Sequence, residues 1–181
     1  MLYDIVKYGD KILREKAKPV ALVTSELKRL ATDMLETMHA AQGVGLAAEQ
    51  IGRSESLCVI DVPASCEQEA DRAFNAPVAM PLVLFNPVIV ATAGSQRGEE
   101  GCLSFPKLGC PITRPAEVTV SFTDGNGAPQ TVVVRGFLAR AVLHETDHLN
   151  GVLFVDHMSA VERLTMAGKL KRLAKANGGT R

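Results

Sequence analysis

One segment near the C-terminal end of the chain limits the fold more than any other. Phe137 to Asn150, FLARAVLHETDHLN, is apolar around most of its first two turns, and Asn150-Gly151 supplies a stop signal. Such a helix has little polar surface to expose to solvent, so the other elements must pack around it. We therefore predict a central buried helix.

The same helix carries two histidines and a glutamate in the pattern HExxH. Side chains four residues apart lie above one another on a helix, so His144 and His148 can reach one metal ion. Glu145 is turned about a hundred degrees away, where it can contact a water on that ion and act as general base. A chance match is disfavoured because the chain has only four histidines. The pattern predicts a metal-dependent hydrolase.

A catalytic metal needs a third protein ligand, with one position left for water. His157 and Glu162 lie downstream, but neither fits the extended HExxHxxGxxH pattern of one peptidase class. Cys102, in EEGCLSFP, could supply a thiolate from upstream. Because a lone cysteine is also a common core residue, spacing alone leaves both interpretations of Cys102 open.

The rest of the chain supplies helices at both ends and strands between them. Ser25 to Ala41 has a helical period with Ser25 as its expected cap, and roughly Ala160 to Lys175 forms a basic final helix. Strand patterns occupy Leu57 to Val62 and the stretches MPLVLFNPVIVATAG and AEVTVSFTDGNGAPQTVVVRG, with a hairpin turn at Asp124 to Gly127. The expected fold class is α+β, with antiparallel β-sheets packed around a central buried HExxH helix and with N-terminal and C-terminal helices.

Length and composition limit the class of protein further. The 181 residues can bury a core of their own, and we expect one catalytic domain over residues 1–181. Twenty basic and twenty acidic residues give no net charge that would attract DNA or an anionic membrane. The N-terminus has no continuous apolar run, so we expect a cytoplasmic protein without signal peptide or membrane anchor. We also expect reduced cysteines, a mobile loop from Pro63 to Ala76 and a frayed tail at the final NGGTR.

Three stretches resemble the signature motifs of peptide deformylase, in the same order and at similar separations: GVGLAAEQ at Gly43–Gln50, EGCLS at Glu100–Ser104 and HETDHLNG at His144–Gly151. The opening IVKYGDKILREKAKPV is similar to that family's N-terminal segment, so the resemblance covers nearly the whole chain. It implies that Cys102, His144 and His148 hold one divalent metal ion. Ferrous iron is the implied metal, with zinc, nickel or cobalt as alternative occupants.

The resemblance also implies a reaction. Glu145 would take a proton from a water acidified by the metal, the water would attack the formyl carbon of an N-formylmethionyl peptide, and formate would leave. The Gln50 side chain and the backbone N–H of Leu103 would bind the oxyanion. The glycines of GVG would let the peptide lie along Gly43, Val44 and Gly45 as an added strand; the alternative is a simple turn between helix and strand.

Three positions depart from the family pattern. Leu143 stands where the family usually has Gln, and Gly109 stands near the place of an arginine often found after the metal cysteine. Arg140 lies four residues before His144, near the implied methionine pocket. We hypothesise that Arg140 narrows or polarises that pocket; the alternative is that it extends past the pocket to a surface carboxylate.

The basic C-terminal segment bears on the partners of the protein, and two competing functions stay open. The C-terminal KLKRLAKANGGTR is basic, and the resemblance implies contact of the final helix with the ribosome, the alternative being a solvated helix face. We expect a monomer. One competing function is a peptidase that cuts internal bonds, disfavoured because no peptidase-type third ligand is evident. Another is a deformylase-like protein with altered substrate preference or a catalytically weak formyl-peptide binder. The presence of Glu145 and Gln50 argues against a binder, which would need neither a base nor an oxyanion donor.

Overall fold

The structure is a computed structural model that describes residues 1–178. Within that range the chain forms four α-helices and seven β-strands: α1 Ser25–Ala40, β1 Gly45–Ala47, β2 Leu57–Ile60, α2 Glu69–Asn75, β3 Leu82–Ala93, β4 Gln96–Gly101, β5 Gly109–Arg114, β6 Glu117–Thr123, β7 Pro129–Arg135, α3 Gly136–Leu149 and α4 Ala160–Asn177. Short 3-10 turns occur at Lys11–Arg14, Ala48–Ile51, Ala64–Cys66 and Phe154–His157. The predicted α+β class is confirmed.

The strands form two sheets with antiparallel neighbours throughout. The larger sheet has the order β1-β2-β3-β6-β7, and β4 pairs with β5 in a separate two-stranded sheet. The predicted hairpin between β6 and β7 is present: Asp124 Oδ1 accepts hydrogen bonds from the backbone N–H groups of Asn126 and Ala128, and Gly127 has a φ of 86°. Sequence patterns do not predict β4, because its only buried side chain is the charged Glu100.

Helix α3 runs through the core of the molecule. It contacts β1, β2, β3, β6 and β7, and residues 138–146 are all buried, in agreement with the predicted burial. Leu138 and Val142 pack against sheet residues such as Leu84, Val118 and Val134. Burial of each such side chain contributes about 1.5–3 kcal/mol. The helix ends at Asn150, and Gly151 follows with a φ of 71°.

Two local predictions are wrong, and one lies partly outside the described residues. The cap of α1 is Thr24 and not Ser25, because the Thr24 hydroxyl accepts the hydrogen bond from the Leu27 N–H. The segment predicted as a mobile loop contains α2, whose buried Asn75 exchanges hydrogen bonds with the backbone of Arg135 at 2.9 and 3.1 Å. Of the predicted frayed tail, Asn177 ends α4 and residues 179–181 lie outside the described range.

The cysteines and the apolar character of the helices bear on two further expectations. All four cysteines lie within the described residues, and none of them forms a disulfide. Among residues 1–178 no helix combines the length and the apolar character needed to cross a membrane.

Candidate active site

Three ligand-type side chains meet where the end of β4 approaches α3. The sulfur of Cys102 and ring nitrogens of His144 and His148 all lie within 4.8 Å of one another, and Cys102 Sγ is 3.3 Å from His148 Nε2. A tetrahedral metal with ligand bonds of about 2.1–2.3 Å separates its ligand atoms by about 3.5 Å. The donor set and its spacing therefore fit one divalent ion.

The structure separates the three candidates for the third ligand. Cys102 is half-buried and joins the two histidines. His157 Nε2 lies 2.8 Å from the Asp147 carboxylate, and Glu162 caps the N-terminus of α4 and pairs with Arg97. Neither downstream candidate belongs to the cluster, and the structure places Cys102 beside the two histidines while it also packs against core residues.

A buried carboxylate that the sequence analysis missed fixes the first histidine. Glu100 Oε1 accepts a hydrogen bond from His144 Nδ1 at 2.6 Å, which leaves Nε2 of that ring as the nitrogen free to face the metal site. The same carboxylate accepts two hydrogen bonds from Arg114, at 2.7 and 3.1 Å. Burial alone would raise its pKa, but the bonds from His144 and Arg114 hold the pKa of Glu100 well below its ordinary value. Its only sequence signal is a carboxylate two residues before Cys102.

The two histidines have opposite electrostatic environments. Burial lowers the pKa of His148 well below its ordinary value, which favours the neutral form that can bind a metal. Burial has the same tendency at His144, but its hydrogen bonds with Cys102 and Glu100 raise the pKa of that ring well above normal. The His144 ring thus lies between Cys102 and the buried carboxylate of Glu100.

Arg140 also binds Glu100. Its Nη1 donates to Glu100 Oε2 and to the carbonyl of Ile112, both at 3.0 Å, and only 5% of the residue is exposed. The alternative that Arg140 reaches a surface carboxylate is therefore wrong, because the carboxylate is buried. Leu143 packs in the core, and Gly109 faces Gly101 across the β4–β5 pair.

Glu145 is the second buried carboxylate of the site, and it differs from Glu100 in having no compensating cation bonded to it. It is 4% exposed, and Oε2 has no hydrogen-bond partner. Burial raises the pKa of Glu145 to about 7, although the charge of His144 lowers it. Such a group can accept and return a proton near neutral pH.

The glycines of GVG have a structural reason beyond the one predicted. A Cβ on Gly45 would overlap the Glu145 carboxylate, and a Cβ on Gly43 would lie 2.6 Å from Leu103 Cδ1. Both glycines therefore make room for side chains of the site itself. Gly45 also begins β1, so the segment is a strand and not only a turn.

The Gln50 side chain is oriented toward the group formed by Cys102, His144 and His148. Its Oε1 accepts a hydrogen bond from the Ala47 N–H at 2.9 Å, which identifies Nε2 as the group directed at the neighbouring loop. Nε2 donates to Ser104 Oγ at 3.2 Å and to Cys102 Sγ at 3.4 Å. The side-chain amide and the turn that contains Leu103 thus lie beside each other.

A cavity of about 560 Å³ joins these groups. Its volume is in the range of sites that hold small molecules or short peptide segments. It runs beside β1, the edge strand of the larger sheet, whose other side pairs with β2. His148 is not part of its wall, which includes nine of the predicted catalytic, substrate-binding and metal-ligand residues: Gly43, Val44, Gly45, Gln50, Cys102, Leu103, Arg140, His144 and Glu145.

Comparison with known proteins agrees with this site. A family model described as polypeptide deformylase matches residues 2–164. The chain is 42% identical over 171 residues to a peptide deformylase of Nitrosococcus oceani, covering 94% of this chain and 95% of that protein. A crystal structure of peptide deformylase from Thermus thermophilus is 38% identical with a TM-score of 0.83, covering 97% of this chain and 99% of that one. The Synechococcus elongatus enzyme, solved in complex with actinonin, is 41% identical with a TM-score of 0.79, covering 98% and 89%. The chain therefore belongs to the peptide deformylase family.

Proposed function

We propose that the chain is a metal-dependent hydrolase that removes the formyl group from N-formylmethionyl peptides of newly made proteins and releases formate. One observation carries this proposal: Cys102 and His144, which cluster with His148, line the same cavity as Glu145, a buried carboxylate with an unpartnered oxygen. A site that only bound peptides would have no use for an isolated buried carboxylate, which is costly to retain.

Cys102, His144 and His148 would hold one divalent ion, and we propose ferrous iron. When bound, such an ion supplies an acidified water as the nucleophile. A thiolate with two imidazoles also accepts zinc, nickel or cobalt. Glu100 supports this site because it orients His144 through its Nδ1 hydrogen bond.

The remaining residues would act directly on the peptide. Its backbone would lie along Gly43, Val44 and Gly45 at the free edge of β1, where main-chain hydrogen bonds can extend the sheet. The Gln50 amide and the Leu103 N–H would donate hydrogen bonds to the formyl oxygen as it gains negative charge. Glu145 would take the proton of the attacking water and return it to the amine nitrogen as the carbon–nitrogen bond breaks.

The proposed function is tested by formate release from formyl-Met-Ala-Ser by iron-loaded protein prepared without oxygen. Three controls accompany it. The first is acetyl-Met-Ala-Ser, the second is a longer peptide that tests for cleavage of internal bonds, and the third is protein treated with a chelator and then reloaded with metal. We expect turnover of the formyl peptide alone, loss after chelation and recovery after reloading. Cleavage of internal bonds would favour the peptidase alternative. Peptide binding without turnover at full metal occupancy would favour the weak binder.

We further propose that Arg140 polarises the pocket for the first side chain of the peptide. Arg140 forms part of the cavity wall, and its guanidinium binds the buried carboxylate of Glu100. We expect the ratio of kcat/KM for formyl-Met over formyl-Glu peptides to be lower than for a family member with an apolar residue at this position. An equal ratio would contradict the proposal.

The proposed setting is a single catalytic domain that acts as a cytoplasmic monomer and contacts the ribosome through α4. The helix has no fully buried residue and carries Lys169, Lys171, Arg172 and Lys175. Contact with phosphate-rich RNA would weaken as salt screens these charges. Salt-sensitive co-sedimentation with ribosomes is expected, and its absence at low salt would contradict this contact.

A further inference from the structure

Three consecutive residues of the N-terminal segment each bind a different residue of the proposed site. The Val6 N–H donates to the carbonyl of Gln50 at 2.7 Å, and the Tyr8 N–H donates to the carbonyl of Ser104 at 2.9 Å. Between them, the ammonium of Lys7 donates to the carbonyl of Leu103, also at 2.9 Å. The segment therefore gives the Gln50 turn and the Cys102–Ser104 turn a common neighbour.

Lys7 differs from the two residues beside it because it binds with its side chain. The side chain crosses to a residue 96 positions away, and it is half-buried. Burial lowers the pKa of Lys7, while the negative charge of Cys102 raises it. A half-buried ammonium is stabilised by the carbonyl that it binds.

The position of Leu103 makes this contact relevant to catalysis. In the proposed mechanism the Leu103 N–H faces the formyl oxygen, and the Leu103 carbonyl is the group that Lys7 binds. The neighbouring carbonyl of Ser104 is bound by Tyr8, and the Leu103 side chain packs on Gly43. Leu103 lies outside every helix and strand, in a turn closed by the Phe105 N–H, which donates to the Cys102 carbonyl at 2.8 Å. That carbonyl shares a peptide unit with the Leu103 N–H, and the Leu103 carbonyl is joined to the same unit through the φ and ψ angles of Leu103. The direction of the N–H therefore depends on the turn together with the hydrogen bonds to the Leu103 and Ser104 carbonyls. Donors that are fixed in place before the reaction stabilise an oxyanion much better than mobile ones.

We propose that Lys7 is a positioning residue for deformylation, which holds the Leu103 carbonyl so that the Leu103 N–H points at the formyl oxygen. This inference rests on the proposed function. Lys7 does not form part of the cavity wall, so it acts through Leu103 and not on the peptide. The hydrogen bond from the Leu103 N–H strengthens as negative charge develops on the formyl oxygen. A misoriented N–H therefore lowers kcat and leaves peptide binding nearly unchanged.

The test compares Lys7→Met, Lys7→Arg and Lys11→Met, each loaded with iron and assayed on formyl-Met-Ala-Ser. Lys11 is an exposed lysine of the same segment and serves as the matched control. We expect Lys7→Met to lower kcat by about 10- to 100-fold with KM within about threefold, because removal of a whole oxyanion donor costs about 10²–10³-fold. Lys7→Arg keeps a donor and a charge and should recover most of kcat. Metal content and Tm of all three should match the unmodified protein.

Each other outcome has a defined meaning. Lys7→Met with kcat within about twofold of the unmodified protein would overturn the role of Lys7, as would a raised KM at unchanged kcat. Lys7→Arg no better than Lys7→Met would overturn it as well, because it would indicate a packing role. Failure of the unmodified protein to release formate would refute the proposed function, and the role of Lys7 with it. If the unmodified protein does release formate, the results for the Lys7 variants test the role of Lys7 alone.

Discussion

The two halves of the site are held in place by different kinds of structure. His144, Glu145 and His148 lie on α3, where backbone hydrogen bonds and core packing fix their spacing. Gln50 lies in a short 3-10 turn, and Cys102 and Leu103 lie in a turn after β4, outside regular structure. The helix half is positioned locally, whereas the loop half depends on hydrogen bonds from distant residues such as Val6 and Tyr8.

Two buried carboxylates beside these halves differ in how their charge is compensated. Glu100 of β4, which binds His144 of the helix half, is compensated by the buried guanidinium groups of Arg114 and Arg140. The loop half includes Glu49, which is 1% exposed and has no partner for either carboxylate oxygen. Loss of the Glu100 charge should therefore damage the site, whereas loss of the Glu49 charge should remove a cost of burial.

Glu100→Gln should give the greatest loss. It leaves Arg114 and Arg140 without their shared anion, and breaking a buried ion pair costs about 3–5 kcal/mol. The free energy of unfolding by urea measures this loss. The neighbouring Glu99→Gln is the matched control, because Glu99 is exposed, and it should change the free energy by less than about 0.5 kcal/mol. Equal effects of the two substitutions would contradict the compensated network.

Gln50→Ala should lower kcat by about 10²–10³-fold while metal content stays full. The Gln50 side chain donates to Cys102 but is not one of the three candidate metal ligands. Its loss therefore removes an oxyanion donor and leaves the ligand set complete. Steady-state kinetics and metal analysis of the same sample check both parts. Gln130→Ala in the exposed β6–β7 hairpin is the control. Loss of metal in Gln50→Ala would mean that the residue supports the metal site instead.

Glu49→Gln should remove a pH dependence of stability. Burial raises the pKa of Glu49 to about 8 in the folded state, above the ordinary value of 4.5. The folded protein therefore binds more protons than the unfolded chain between about pH 4.5 and 8, and stability falls as pH rises through that window. The slope approaches about 1.4 kcal/mol per pH unit. Urea unfolding at pH 6 and pH 8 should show a smaller decrease for Glu49→Gln, and parallel behaviour would contradict a neutral buried Glu49.

Gly45→Ala and Gly43→Ala should give smaller losses of unequal size. A methyl group at 45 overlaps the Glu145 carboxylate, which is buried and has little room, so kcat should decrease by about tenfold. A methyl group at 43 meets the end of the Leu103 side chain, which is half-buried and can rotate. We expect a change of less than about threefold there. The reverse order would show that the loop half tolerates less displacement than the helix half.

The difference between the halves also explains what could be predicted from the sequence. Helical spacing alone brings His144 and His148 together, because i and i+4 lie on one face of any helix. Cys102 could be assigned only through the family resemblance, since a turn has no periodicity that directs its side chains. Glu100 and Lys7 were missed because their partners lie 44 and 96 residues away.

The fold shows the same limit. The buried helix and the long strands β3, β6 and β7 follow from periodicity, which is strongest in such elements. Helix α2 spans only Glu69–Asn75, and its polar sequence forms a helix partly because Asn75 binds the backbone of Arg135. The same tertiary requirement applies to Arg140, whose buried partner depends on how β4 approaches α3.

The most direct test of the proposed chemistry is a paired measurement on Glu145→Gln: metal content and formate release from one preparation. Glu145 is not one of the three ligands, so the variant should bind one iron per chain as the unmodified protein does. Its kcat on formyl-Met-Ala-Ser should fall by at least about 10²-fold, because the amide cannot accept the proton. Full metal with turnover near that of the unmodified protein would contradict Glu145 as the base and, with it, the mechanism proposed for this cavity.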